Sequence, residues 1–259
     1  VISELPVGLL GFLVGVALAT LTAPVGVSGA VFLLPVQLTV FQVPNPAVTP
    51  TNLLYNVVAG PGALLRYRRD GGLTGGLARR LVAGTLPGVA VGAVIRVFAV
   101  PGEREFQLIV ALLLLPLGLW ICWRTLRPPR RATSPPRPRT ITTLALGVGV
   151  IGGIYGIGGG SLLGPILAGR GVPLTQVAPA ALAATFVTSI AGALTYAALS
   201  LTTTGDIAPD WTLGILCGLG GLLGGYLGAR LQPHLPEKSL RLLLGTLATT
   251  VACLYFTRL

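Results

Sequence analysis

The sequence predicts an all-α polytopic membrane protein: two inverted-topology repeats of about five helical segments each, with Gly-rich broken or re-entrant helices in each repeat. Three observations carry this prediction. They are apolar runs of bilayer length, charges confined to short loops, and a set of landmarks that occurs twice in the same order. Of the 259 residues, 53% are hydrophobic and only 10% charged, and mean hydropathy is +0.83. A soluble domain carries about 25% charged residues. Runs such as "PVGLLGFLVGVALATLTA" from Pro6 and "FQLIVALLLLPLGLWICW" from Phe106 match the roughly 17–25 residues that cross a bilayer as helix. Residues 1–259 read as one membrane domain, with the lipid bilayer as solvent.

Repeat one (1–124) is expected to hold a broken pair at about 6–23 and 28–42, then helices near 48–66, 77–98 and 105–124. The first segment reads as a retained helix, not a signal peptide. Glu4 is the only charge before Arg66, and the apolar run is too long for a signal h-region. A Pro/Arg-rich linker, 125–140, is expected to be cytoplasmic. Repeat two (141–259) holds a second broken pair at about 141–156 and 160–169, then helices near 177–199, 211–231 and 239–257.

The repeat rests on four landmarks. "GVSGAVFLLP" (26–35) aligns with "GIGGGSLLGP" (156–165), and "VPNPAVTP" (43–50) with "VPLTQVAP" (172–179). "TNLLYNVVAGPGAL" (51–64) pairs with "ATFVTSIAGAL" (184–194). Finally Gly84, Gly88 and Gly92 pair with Gly220, Gly224 and Gly228.

Charge assigns orientation. The net charge is +11, and the arginines cluster in "RYRRDGG", "ARR" and around the linker. That is the positive-inside pattern of short cytoplasmic loops, not a nucleic-acid surface. Loop 66–80 is basic while its counterpart, 200–210, has no Lys or Arg; the next pair, 99–105 and 230–241, reverses the bias. Five segments per half is an odd number, which inverts the second copy and places both termini outside.

The glycine stretches are the candidate site. In hydrocarbon an unpaired backbone group costs several kcal/mol, so broken helix is tolerated only inside protein or beside a water-filled cavity. "TAPVGVSG" (22–29) and "GIYGIGGGS" (153–161) each lead into an apolar run that resumes as helix. A restarting helix offers unpaired N–H groups and a positive dipole end, and glycines let an anion approach them. The candidate substrate-binding residues are therefore Gly26, Ser28 and Gly29 with Gly156, Gly158, Gly159, Gly160 and Ser161. Polar residues of the third segments join them: Asn52 and Asn56, one turn apart, and Thr185, Thr188 and Ser189. Thr49, Thr51, Tyr55 and Tyr196 are further candidate liners. The spaced glycines 84/88/92 and 220/224/228 read as packing faces, either within one copy or between two in a homodimer.

Other chemistry is poorly supported. Cys122, Cys217 and Cys253 form no CxxC pair, and His234 has no metal-ligand company, so no metal or cofactor is expected. "GVSG" (26–29) fits the GxSG of rhomboid-like serine proteases, but a serine nucleophile needs a nearby base, and repeat two has Gly158 where repeat one has Ser28. No Lys-Ser/Thr follows the glycines as in a Walker A loop. No acidic or basic residue falls mid-span, since Arg66, Arg96, Arg124 and Arg230 lie at helix ends. Proton-coupled carriers place ionisable groups there, so the site reads as neutral. An anion channel or a non-transporting scaffold are the alternatives to a carrier.

The two Gly-rich breaks with a downstream Pro, the polar third segment and "GLLGGYLGARL" (221–231) resemble the TauE/SafE family of sulfite and organosulfonate exporters. The resemblance covers nearly the whole chain. It implies a secondary transporter, not an enzyme, that exports a small sulfur oxyanion across the bacterial inner membrane. The family's break falls on Gly26, Ser28 and Gly29 and on Gly156, Gly158, Gly159 and Gly160. Repeat one departs from the glycine-rich form at "PVGVSGA", where Ser28 supplies a hydroxyl.

Overall fold

The computed structural model describes residues 4–73, 76–100, 102–127, 138–170, 172–202 and 207–257. Within them are ten helices and no strand: α1 Glu4–Thr22, α2 Ala30–Thr39, α3 Val48–Arg69, α4 Gly76–Phe98, α5 Glu103–Leu126, α6 Pro138–Tyr155, α7 Leu163–Gly169, α8 Leu174–Ser200, α9 Trp211–Leu231 and α10 Glu237–Phe256. Every segment expected from the sequence is present. Residues 128–137 of the linker lie outside the described residues.

Six helices (α1, α4, α5, α8, α9 and α10) are long and apolar enough to cross a membrane. Their outer faces are greasy: Leu9, Leu112, Leu119, Leu194 and Leu254 are all more than half exposed, a surface suited to lipid and not to water. α3 is equally long, but its threonines and asparagines make it less apolar, and those polar groups are buried.

Glycine sets the closest helix pairs. Gly84, Gly88 and Gly92 of α4 bring that helix onto the backbone of α6, level with Thr142, Leu146 and Val150 respectively. Gly220, Gly224 and Gly228 of α9 do the same to α1 at Phe12, Val16 and Thr20. Each pair is parallel, and each glycine carries the partner's backbone where a Cβ would be. Both stripes are thus occupied within the chain and are not open to a second copy. α5 and α10 pack antiparallel through Gly118 and Gly245.

The other extensive pairs are α3 with α9, α4 with α8, and α3 with α8. Exchanging α1–α5 for α6–α10 in order maps α4·α6 onto α9·α1 and α3·α9 onto α8·α4, and leaves α5·α10 and α3·α8 unchanged. The major helix contacts are the same under that exchange. α3, α4, α8 and α9 form the interior, and both backbone breaks end there.

Candidate functional site

The two breaks begin alike. After α1 a 3₁₀ turn, Ala23–Val25, leads to Gly26 at φ +75°; after α6, Gly156 sits at φ +73°. Left-handed glycine is the common way to end a helix. In each break the next amide closes the turn: Val27 N–H donates to Thr22 O (3.2 Å) and Ile157 N–H to Gly152 O (3.1 Å). A tyrosine of the following long helix then braces the end of the first. Tyr67 Oη donates to Ala23 O (3.1 Å) and Tyr196 Oη to Gly153 O (3.3 Å). Each turn is seated on the other half: Gly26 against Ala178 of α8, Gly156 against the Thr49 carbonyl of α3.

They then diverge. In the first break Ser28 Oγ accepts from Ala30 N–H (3.2 Å) and donates to Asn56 Oδ1. Val31 N–H and Phe32 N–H bond back to Ser28 O and Gly29 O at 3.2 and 3.1 Å. The start of α2 is therefore largely satisfied by its own neighbours, contrary to the expectation that both restarting helices present unpaired donors. In the second break Gly158 is also left-handed (φ +71°), and α7 starts only at Leu163. Gly159 N–H donates to Thr188 Oγ1 (2.9 Å), and Ser161 Oγ donates to Ile157 O (2.9 Å) and lies 3.2 Å from Thr185 Oγ1. The amides of Gly160, Ser161 and Leu162 find no partner among the described residues. They are tightly enclosed: a Cβ on Gly160 would run into the Ala181 carbonyl, and one on Gly159 into Thr85.

A small cavity of about 30 Å³ lies between the halves at the first break. Its polar lining is Thr22, Ser28, Tyr55, Asn56 and Thr185, with Gly29 and Gly221 among its small walls. No charged residue lines it. Tyr55 Oη and Asn56 Nδ2 are buried and have no hydrogen-bond partner, so both donors are available inside the cavity. Tyr55 reaches Gly29 and Gly221, the latter at the middle of α9. The lining continues to Ala59 and Ala63 of α3 and Gly225 of α9, so the cavity runs from mid-helix toward the linker end of the bundle.

Of the sequence-derived candidates, Ser28, Gly29, Asn56 and Thr185 meet at this cavity. Asn52 does not; its Nδ2 donates to Ala30 O (3.0 Å) and ties α3 to α2. Thr188 bonds Ala184 O of its own helix (2.6 Å) while holding Gly159. Ser189 Oγ is buried beside Gly158 without a partner. Gly26, Gly156, Gly158, Gly159, Gly160 and Ser161 build the frame around the cavity and are not part of its wall. Thr49 accepts from Arg96 Nε (3.3 Å), and Thr51 Oγ1 accepts from Asp210 N–H (2.8 Å). Ser28 bonds an amide oxygen and not a base, and His234 is exposed in the 3₁₀ turn after α9.

Two residues escaped the sequence reading. Thr85, buried in mid-α4, packs against Gly149 and Gly159 at once. Arg96 is fully buried, although its position near the end of α4 reads as a membrane-surface charge. A signal for Arg96 was present: it continues the four-residue stripe of Gly84, Gly88 and Gly92, so it shares their inward face.

The family model described as sulfite exporter TauE/SafE matches residues 10–255 of the chain. No curated protein and no solved structure gives a significant match.

Proposed function

The chain belongs to the sulfite exporter TauE/SafE family, and from that premise we propose that it exports a small sulfur oxyanion, sulfite or an organosulfonate, by alternating access. As a multi-pass protein of a transporter family it needs a place where an anion can exchange water for protein donors. The observation that carries the reading is the pair of buried, unpartnered donors, Tyr55 Oη and Asn56 Nδ2, facing one cavity without a charged wall. A buried donor left unmade costs about 1–3 kcal/mol, and an oxyanion that accepts from both removes that cost. Hydroxyl and amide donors also bind an anion without the depth of an ion pair, which suits release on the far side. In this reading the glycine breaks let backbone turn beside the cavity, and Ser28 holds Asn56 with its amide nitrogen toward the ligand.

The wider scheme follows from the same features. Repeat one (1–124) and repeat two (141–259) are proposed as inverted copies joined by the 125–140 linker, and the exchange-symmetric helix contacts and paired Gly26/Gly156 turns support that. The basic loops support a cytoplasmic linker in a protein of the bacterial inner membrane, with both termini external. The cavity then faces the cytoplasm, the loading side for an exporter. Rocking of α1–α5 against α6–α10 would move access to the other face.

The test is thermal unfolding of the detergent-purified protein with sulfite, sulfate, thiosulfate, sulfoacetate, phosphate, acetate and chloride. Ligand at a hundredfold excess over its Kd stabilises the folded state by about 2.7 kcal/mol. A selective rise with a sulfur oxyanion, reduced in Tyr55→Phe and Asn56→Ala, is the expected result. No shift with any anion would sink the cavity as the site.

A further inference from the structure

Arg96 is the only buried charged side chain among the described residues. Its Nε donates to Thr49 Oγ1 (3.3 Å), its Nη1 to Val100 O and its Nη2 to Asn45 Oδ1, and its guanidinium lies 4.1 Å from the centre of the Phe106 ring. All three acceptors are neutral, and no described carboxylate pairs with it. Burying a charge without a counter-charge is expensive, so its retention calls for a reason.

A clamp between helices is not a sufficient one. The stripe Gly84, Gly88, Gly92 continues to Arg96; the matching stripe Gly220, Gly224, Gly228 continues to Gln232. Gln232 Nε2 donates to Pro24 O (2.6 Å) at the foot of the first break, so a neutral amide clamps the equivalent place. What Arg96 adds is charge. It also sits at the end of α4 remote from the linker, opposite the end toward which the cavity runs.

We infer that Arg96 is a second anion-binding station, taking the same small oxyanion after it leaves the Ser28–Tyr55–Asn56 cavity for the far face. The inference rests on the transport reading above. While no anion is present, Asn45, Thr49 and the Val100 carbonyl hold the guanidinium and seal that face. An oxyanion replaces them, because a guanidinium binds two anion oxygens in parallel and such charge-assisted bonds are roughly twice as strong as neutral ones. Thr49 links this exchange to the break, since its carbonyl is 2.5 Å from where a Cβ on Gly156 would lie. Releasing Thr49 from Arg96 loosens the seat of the Gly156 turn and opens the way out.

The experiment compares the unaltered protein with Arg96→Gln, which copies the other half, and Arg96→Lys, which keeps the charge without the fork. Three quantities are measured: melting temperature without anion, the shift caused by sulfite, and sulfite flux in proteoliposomes. The expected result is folded variants with the sulfite shift retained, a loss of flux of at least about tenfold in Arg96→Gln, and a smaller loss in Arg96→Lys. Undiminished flux in Arg96→Gln overturns the assignment while leaving the cavity intact. Equal falls of flux and melting temperature in both variants also overturn it, since they mark a clamp alone. An unaltered protein with neither shift nor flux removes the transport reading, and this inference with it.

Discussion

Gly26 and Gly156 make the same left-handed turn, closed by equivalent amides and braced by equivalent tyrosines, yet the residues beyond them are used differently. In the first break a serine caps the restarting helix and steers Asn56, and the result borders a cavity. In the second, consecutive glycines let the backbone pass between α4 and α8 with no room for a side chain, and no part of Gly156–Gly160 lines that cavity. The same turn thus borders a cavity in one half and forms a packing joint in the other. Glycine density is a poor guide to which is which: the glycine-richer break is the tighter one.

The largest expected effect separates the two roles. Gly160→Ala would place its Cβ against the Ala181 carbonyl and 2.6 Å from Thr185 N, both backbone atoms, so α8 has to move. Overpacking of this kind costs about 1–3 kcal/mol or more, and the variant should lose most of its monodisperse, folded fraction on size-exclusion chromatography. Gly29→Ala meets chiefly the Tyr55 hydroxyl, the end of a side chain beside a cavity. That variant should fold and instead lose its anion-dependent rise in melting temperature. The reverse pattern would assign binding to the second break.

A smaller effect tests the joint itself. Thr188 Oγ1 accepts from Gly159 N–H, and Thr188→Val leaves that buried amide unmade at nearly constant volume. A loss of about 1–3 kcal/mol is expected, visible as a lower melting temperature with the sulfite shift unchanged. Loss of the shift with normal stability would show that Thr188 belongs to the ligand's shell.

Much of this was legible in the amino acids. Helix positions followed from apolar length and from Gly and Pro punctuation, because a continuous apolar run in lipid must satisfy its own backbone as helix. The polar face of α3 was legible through the four-residue step from Asn52 to Asn56, but not the division of labour between them, which depends on where α2 restarts. Which break would have its donors used up was equally hidden, since Ser28 Oγ accepts from Ala30 N–H at the start of α2 while bonded to Asn56, 28 positions away. The burial of Arg96 was hidden for a related reason. Linear distance from a helix end suggests the membrane surface, whereas Asn45 and Phe106, from other stretches of chain, and Val100 just beyond α4 fold over it. Burial of that kind exists only in three dimensions.

The smallest prediction sharpens the comparison within the helix that leads into the second break. Gly147 and Gly149 of α6 are two residues apart and nearly opposite on the helix. A Cβ on Gly149 lies 2.5 Å from the Thr85 carbonyl, while one on Gly147 meets nothing within 4 Å. Gly147→Ala is therefore free to gain helix propensity, about 0.8–1.0 kcal/mol at most, and should melt at or slightly above the unaltered protein. Gly149→Ala pushes α6 off α4 at Thr85, the residue that also walls Gly159, and should melt lower. If both glycines respond alike, the second break is not held by close packing, and its unpaired amides regain their claim as an anion site.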